Sequence, residues 1–545
     1  MAKLFAGIDV GTGSARAGLF DAGGKLYGTA RQPIRIWREA GEIVEQSSGD
    51  IWAAVVAALR EAMQAAGVAA DDVAGLGFDA TCSLVALDRG GRPLAVGPSG
   101  EPERNVMVWM DHRAIAEASD IDATRSEVLR YVGGTISPEM EMPKLLWLKR
   151  HLPQQFAAAG NFFDLTDFLT WRATGSRTRS LCTVTCKWTY LAHENRWDDD
   201  FLAAIELGEL AADGHARIGQ AMAAPGMRVG GIGVTAAAEL GLAPGTPVAA
   251  GLIDAHAGGI GTIGGVGLDR QAGDPLRRIA YIMGTSACIM ATTSEPVFVP
   301  GVWGPYFSAM MPGHWLNEGG QSASGSAVDH VARTHPAFGA ASEAAESAGL
   351  SLLDYLEKRV ERRFPDISEA AHLAAERHIL PEYLGNRSPH ADPTSRAVMV
   401  GLGLDDSIED LERSYIAALC GLAYGLAEAI DALGARGIAS DAIVASGGAS
   451  HSRLVRQIMA DATGLPVVLS ESAEPVLLGS AMLAAVAAGE YPSLPVAMAA
   501  MSRDRDASRP AAKLRDFHAA KRKVQDAMRD VERRARRDMS SWRVG

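Results

Sequence analysis

Cysteine is scarce, with Cys82, Cys182, Cys186, Cys288 and Cys420 the five in 545 residues. So few exclude a disulfide framework, and Cys182-x3-Cys186 has no second ligand pair at zinc spacing, so free and mostly buried thiols are expected. Basic residues are outnumbered by acidic ones. The formal net charge of −13 argues against a generic phosphate-backbone binder, which needs a basic face, so any anionic ligand must be held locally. No uninterrupted apolar run approaches the ~18 residues of a membrane span. The opening MAKLFAGIDVGTGSARAGLF meets Asp9 before a signal-peptide core could form. The expectation is a cytoplasmic protein with neither a membrane nor a nucleic-acid partner. A Walker A loop is also missing, because no GKS or GKT follows the first glycine-rich turn.

What remains is an ordinary globular composition, 48% hydrophobic and 21% charged, in a chain well beyond the ~250–300 residues at which a single core stops growing. At least two domains are expected. Residues 4–10, 15–20 and 25–30 read as short strands joined by the turns GTGS and DAGGK, an antiparallel meander opening an α/β domain. Residues 49–66 carry Ile51, Val55, Ala58 and Leu59 at helical spacing, and 73–81 (VAGLGFDAT) reads as a buried strand. The second half opens similarly: residues 277–293 (RRIAYIMGTSACIMATT) read as strand, Gly-Thr turn, strand. MGTSA resembles VGTGSA at 10–15, a weak repeat that hints at a duplicated fold.

Chemistry enters where charge sits among small residues. In AAGLIDAHAGG (249–259) Asp254 stands alone in an apolar run, where a carboxylate must be paired, hydrogen-bonded or put to use. Two readings stay open: an N-cap for a helix beginning at Ala255, or a reactive group. DVGTGSAR brings backbone amides, the Thr12 and Ser14 hydroxyls and Arg16 around a turn that suits a phosphate chain. Asp9 beside such a turn is repulsive to phosphate unless a divalent cation bridges them. A third glycine cluster, SGGAS at 446–450, follows a strand at 443–446 and enters a helix with Leu454, Ile458 and Met459 on one face.

Together these pieces resemble the FGGY carbohydrate kinases, of the actin, Hsp70 and sugar kinase superfamily, and among them the D-ribulokinases. The resemblance rests on GIDVGTGSARAGLFD, GFDATCSLVALD, VWMDHRA, KLLWLK, RSLCTVTCKWTY, GLIDAHAGG, IMGTSAC, VPGVWGPYFSAMMPGHWLNEGGQSASG, GNRSPHAD and SGGAS, in family order to about residue 488. It implies two ribonuclease-H-like α/β domains around a central cleft, 1–252 mainly binding sugar and 253–545 mainly binding ATP. By the same resemblance Asp254 is the catalytic base and also touches the substrate, and Asp9 organises Mg2+. Gly11, Thr12, Gly13, Ser14 and Arg16 form the first phosphate loop, Gly284, Thr285 and Ser286 the second, and Gly447, Gly448 and Ala449 the adenosine-contacting turn. Ala449 stands where a third glycine is frequent and Ser452 where asparagine is common. Ser83, Asp111, His112, Lys187, Glu318 and Gln321 are the sugar-side candidates.

Alternatives accompany these assignments. Asp111 could instead pair with Arg113, Lys187 could be a solvated strand residue, and His256 is read as a structural hydrogen bonder. Trp109, Trp188, Trp303 and Trp315 are read as core or cleft wall. The expected reaction is ATP-dependent phosphorylation of a pentulose, with D-ribulose first and ribitol, L-ribulose or another polyol as alternatives. A chaperone-like ATPase and a non-catalytic sugar sensor are the rival classes; the sugar-side motifs count against the first, and Asp9 with Asp254 against the second. Partners are a small-molecule sugar and, for assembly, a second copy in a homodimer. The tail, 513–539, has Leu514, Phe517, Val524, Met528 and Val531 at near-heptad spacing, predicting a helix packed on the second domain.

Overall fold

The computed structural model describes residues 3–40 and 42–542. The meander forms as the turn chemistry requires: Leu4–Val10 (β1), Ser14–Phe20 (β2) and Leu26–Pro33 (β3) pair antiparallel. Helix α1, Ser48–Ala66, begins where the Ser47 hydroxyl accepts the Asp50 amide, and buries the predicted face of Ile51, Val55, Ala58 and Leu59 against β2 and β3. Val73–Ala80 (β4) then runs parallel to β1, placing Asp9 opposite Asp79. Arg228–Gly231 (β5), Pro247–Ala249 (β6) and Leu252–Ile253 (β7) complete a seven-stranded sheet of order β5-β6-β4-β1-β2-β3, with β7 beside β4. Every residue of β1 is buried, so the sheet must be covered on both faces.

Helix α2, Leu181–Lys187, and helix α3, Asp254–Ile263, lie between this sheet and a second one. The second sheet repeats the plan. Arg278–Met283 (β8), Ala287–Thr293 (β9), Trp303–Phe307 (β10), Trp315–Gln321 (β11), Ala442–Ser446 (β12), Val467–Ser470 (β13) and Asp504–Ser508 (β14) stand in the order β10-β11-β9-β8-β12-β13-β14. Strands β8, β9 and β11 are antiparallel, and β12 joins β8 in parallel, as β4 joins β1. The molecule is therefore a pair of like-built α/β lobes, the two-domain architecture that the sequence resemblance implies. Helix α4, Ile408–Gly434, is long and apolar enough to cross a membrane, but 72% of its most apolar window is buried against its neighbours, as in a core helix.

Helix α5, Arg453–Thr463, buries Leu454, Ile458 and Met459 as its periodicity predicts. Helix α6, Pro475–Ala487, comes from the far end of the chain yet covers the first sheet, packing on β1, β4 and α3. Helix α7, Arg515–Asp538, packs on the second lobe, against α4 and α5. Its face is not the expected apolar stripe: Val531 is exposed, whereas His518, Lys521, Gln525, Arg529 and Glu532 are buried with Leu514 and Met528. The reason is polar pairing. Lys521 Nζ donates to the Arg377 carbonyl at 2.9 Å, and Arg529 binds both Glu428 oxygens at 3.0 and 2.9 Å, satisfying groups that an apolar helix would leave unpaired.

Candidate active site

Between the lobes lies a cavity of about 470 Å³. The two hairpin turns face each other across it. In the first, the Gly11 amide donates to the Ser14 carbonyl at 3.0 Å; in the second, the Gly284 amide donates to Ser286 at 2.9 Å. Gly11, Thr12, Gly13, Ser14, Gly284, Thr285 and Ser286 all line the cavity. The first turn is braced by two residues that also line the cavity: Trp109 Nε1 donates to the Thr12 hydroxyl at 2.9 Å, and Arg31 Nε to the Ser14 hydroxyl at 2.9 Å. Trp109 is thus cleft wall, as its sequence reading allowed.

Asp9, near the end of β1, and Asp254, at the start of α3, line the cavity, with Asp79 of β4 buried beside Asp9. Asp254 does not cap α3. Ile253 holds the cap position without a side-chain bond, and Asp254 Oδ1 accepts the adjacent Ala255 amide at 2.7 Å. Its other oxygen is left for the cavity that it lines. Burial first, then the charge of Asp9, pushes Asp254 up to about 6. Asp79 is raised well above the carboxylate range, by burial and then by Asp9; its Oδ2 accepts Ser480 at 2.6 Å, while Oδ1 has no partner among the described residues. Arg16 is the counter-charge: its Nε donates to Asp9 at 2.7 Å and its Nη1 to Glu474 at 2.8 Å. Its guanidinium therefore braces Asp9 at the cavity wall. Asp9 and Asp254 offer hard carboxylate oxygens to the cavity, and Asp79 leaves one buried lone pair unspent, a donor set that fits a magnesium ion.

Charge alternates on the opposite wall. Lys187 lies 4.7 Å from the Trp303 ring centroid, and Arg387 stacks on the same ring at 4.2 Å while donating to Glu318 Oε1 at 2.9 Å. Burial would raise Glu318, but Lys187, the His256 hydrogen bond and Arg387 hold it far below the carboxylate range. Burial would lower Lys187, but Cys82 and Glu318 keep it charged. His256 bridges Glu318 Oε2 at 3.2 Å and Cys182 Sγ at 3.1 Å. Burial opposes its charge, but these partners, Cys182 first, push it up to about 10. The structural reading of His256 fits this position.

Other expected residues stand behind the wall. Ser83 is buried, accepting the Trp109 amide at 3.1 Å. Asp111 is buried as well, accepting the Val44 amide at 2.7 Å and pairing with Arg113, so that pair is internal rather than on the surface. Gln321 accepts from Tyr281 at 3.0 Å and donates to the Leu422 carbonyl at 2.8 Å. None of these three lines the cavity, because each polar group is spent on fixing backbone or a neighbour. His112 sits one layer back, 3.3 Å from Glu139, which does line it. Gly447, Gly448 and Ala449 leave the end of β12 beside the second turn. At Gly447, with φ 90°, a Cβ would lie 2.3 Å from the Met283 carbonyl, so only glycine fits. Ser452 caps α5, accepting the Val455 amide at 3.0 Å; asparagine and serine are interchangeable in that role.

Sequence reasoning missed Asp79, Glu139 and Arg387. The first had a signal, since GIDV and GFDA place an aspartate alike at neighbouring strand ends.

The model of the FGGY family of carbohydrate kinases, N-terminal domain, matches residues 4–261, and that of the C-terminal domain matches 279–488. An FGGY carbohydrate kinase domain-containing protein of Danio rerio is 47% identical over 526 residues, covering 95% of this chain and 96% of its own. A D-ribulokinase of Saccharomyces cerevisiae is 37% identical over 518 residues, covering 90% of this chain and 72% of its own. The crystal structure of a ligand-bound xylulose kinase from Lactobacillus acidophilus superposes with a TM-score of 0.78 over 97% of this chain and 98% of its own, at 20% identity, a likeness of fold.

Proposed function

The chain belongs to the FGGY family of carbohydrate kinases, and on that premise we propose that it transfers the γ-phosphoryl group of ATP to the terminal hydroxyl of D-ribulose. Carbohydrate kinase activity, a small-molecule sugar substrate and ATP as co-substrate come with the family. D-Ribulose is supported by the yeast D-ribulokinase, 37% identical over nearly the whole chain. The polar wall of Lys187, Glu318 and Arg387 gives a polyhydroxylated ligand both donors and acceptors.

The roles follow from chemistry. A sugar hydroxyl is a poor nucleophile at neutral pH, and phosphoryl transfer is carried by positioning and by stabilising charge. Asp254, raised to about 6, is ionised at pH 7 yet basic enough to accept the hydroxyl proton as the new O–P bond forms. The facing turns at 11–14 and 284–286 present amides and hydroxyls to the phosphate chain. Asp9, braced by Arg16, would hold Mg2+, which supplies neutralisation of the phosphate oxygens when bound.

The product tests this directly. Incubation with ATP, Mg2+ and D-ribulose should give sugar-dependent ADP and a sugar phosphate whose phosphorus couples to the C5 methylene protons in NMR. Coupling to C1 protons, or ADP release indifferent to sugar, would contradict the proposal.

A further inference from the structure

Three soft or borderline donors meet beneath the cavity floor. Cys182 and Cys186 stand four residues apart on α2, which puts both thiols on one face. His256, in the first turn of α3, turns its ring toward them, with Nδ1 at 3.1 Å from Cys182 Sγ. The two sulfurs and a ring nitrogen all lie within 4.8 Å of one another, and all three side chains are fully buried. Around a tetrahedral zinc ion with bonds of about 2.0–2.3 Å, ligand atoms stand roughly 3.5–3.8 Å apart, so the Cys182–His256 pair at 3.1 Å would part slightly while the third donor is already within 4.8 Å of both.

The second layer is also in place. Nε2 of His256 faces Glu318 Oε2 at 3.2 Å. A metal-ligating histidine commonly gives its other ring N–H to a carboxylate, which fixes the tautomer and turns the lone pair toward the ion. With Nε2–H donated to Glu318, only Nδ1 is left to coordinate, and it points at the thiols. From spacing alone, Cys182-x3-Cys186 looked unable to bind zinc; the fold supplies the third ligand from another helix.

We propose that Cys182, Cys186 and His256 form a binding site for a thiophilic divalent cation, zinc by class, with Glu318 as the carboxylate behind the histidine. Ligation releases to solvent the Cys186 thiol proton and the one proton shared by the Cys182–His256 pair, and three protein donors leave one position for water. The site is distinct from the carboxylate cluster of Asp9, Asp79 and Asp254, whose hard oxygens select a different ion. It also joins α2 and α3, which lie between the two sheets, to strand β11 of the second sheet through Glu318. Occupancy ties the lobes together, and does so whichever sugar is the substrate.

Cobalt is the probe. The full-length chain, reduced, chelator-treated and held in saturating Mg2+ to fill the carboxylates, should take up one equivalent of Co2+ and show the intense near-ultraviolet absorption of thiolate-to-cobalt charge transfer. Zn2+ should displace it and raise Tm. Cys182→Ser and Cys186→Ser should each diminish that absorption, Glu318→Gln should weaken binding by about 10–100-fold, and Cys288→Ser, a nearby thiol outside the cluster, should leave the cobalt absorption unchanged. The wild-type titration decides even where a variant fails to fold: no charge-transfer band at one equivalent overturns the proposal, as does a band that survives Cys182→Ser but is lost in Cys288→Ser.

Discussion

Asp254 must be ionised to accept a proton and would be easier to bury protonated; the site holds it between these demands, at about 6. The rate should therefore fall as pH drops through about 6, because the base is lost by protonation. Asp254→Asn should remove that acid limb and lower kcat by roughly 10²–10⁴-fold, the usual worth of a general base, while ATP still binds. Near-normal kcat would return Asp254 to a structural role. Stability carries the opposite sign. The folded-state value lies above the ordinary 3.8, so the native state binds the proton more tightly; the stability this gives is present below about 3.8 and lost as pH rises through about 6. At pH 8 the inactive Asp254→Asn variant should accordingly melt higher than the parent, and a lower Tm would show that the carboxylate is held by favourable contacts. Asp254 and Asp9 stood out in sequence as carboxylates among glycine and small residues, but a helix cap remained open for Asp254, and the roles of both came from the family resemblance. Ser83, Asp111 and Gln321 were legible only as polar residues: sequence carries no sign of which way a side chain is spent, and each is committed to a neighbour.

Among elements, α3 is placed by its crossing with α6. The two helices approach so closely that a Cβ on Gly479 would lie 2.0 Å from the Ala257 carbonyl, and one on Gly261 2.0 Å from the Pro475 carbonyl. The obstructing atoms are backbone, which no rotamer change can move. Gly479→Ala should thus cost about 1–3 kcal/mol or more by overpacking, seen as a fall in Tm, and should lower kcat further by shifting the helix that begins with Asp254. Unchanged Tm and kcat would mean that this crossing is loose. The hairpins, α1 and α5 could be read in advance because their signals are local: turn glycines and 3.6-residue periodicity. The seat of α6 could not, since Asp79 and Ser480 stand 401 residues apart. Nor could the buried face of α7, which is set by carbonyls and carboxylates that only the fold brings to it.

On the scale of the molecule, two lobes enclosing one cavity must exclude water before phosphoryl transfer, or ATP would be hydrolysed without product. Small-angle scattering should show a smaller radius of gyration with pentulose bound than without; tight sugar binding at constant radius would argue against closure. The central claim is that this fold phosphorylates D-ribulose. A site built from charged and hydrogen-bonding groups such as Lys187, Glu318 and Arg387 discriminates strongly against an analogue that leaves them unpaired. The decisive measurement is kcat/KM by coupled ADP release for D-ribulose, D-xylulose, L-ribulose, ribitol and glycerol under one set of conditions. D-Ribulose should lead by at least about tenfold, a margin of ~1.4 kcal/mol well within what such a site supplies; ribitol or L-ribulose in first place would contradict the assignment.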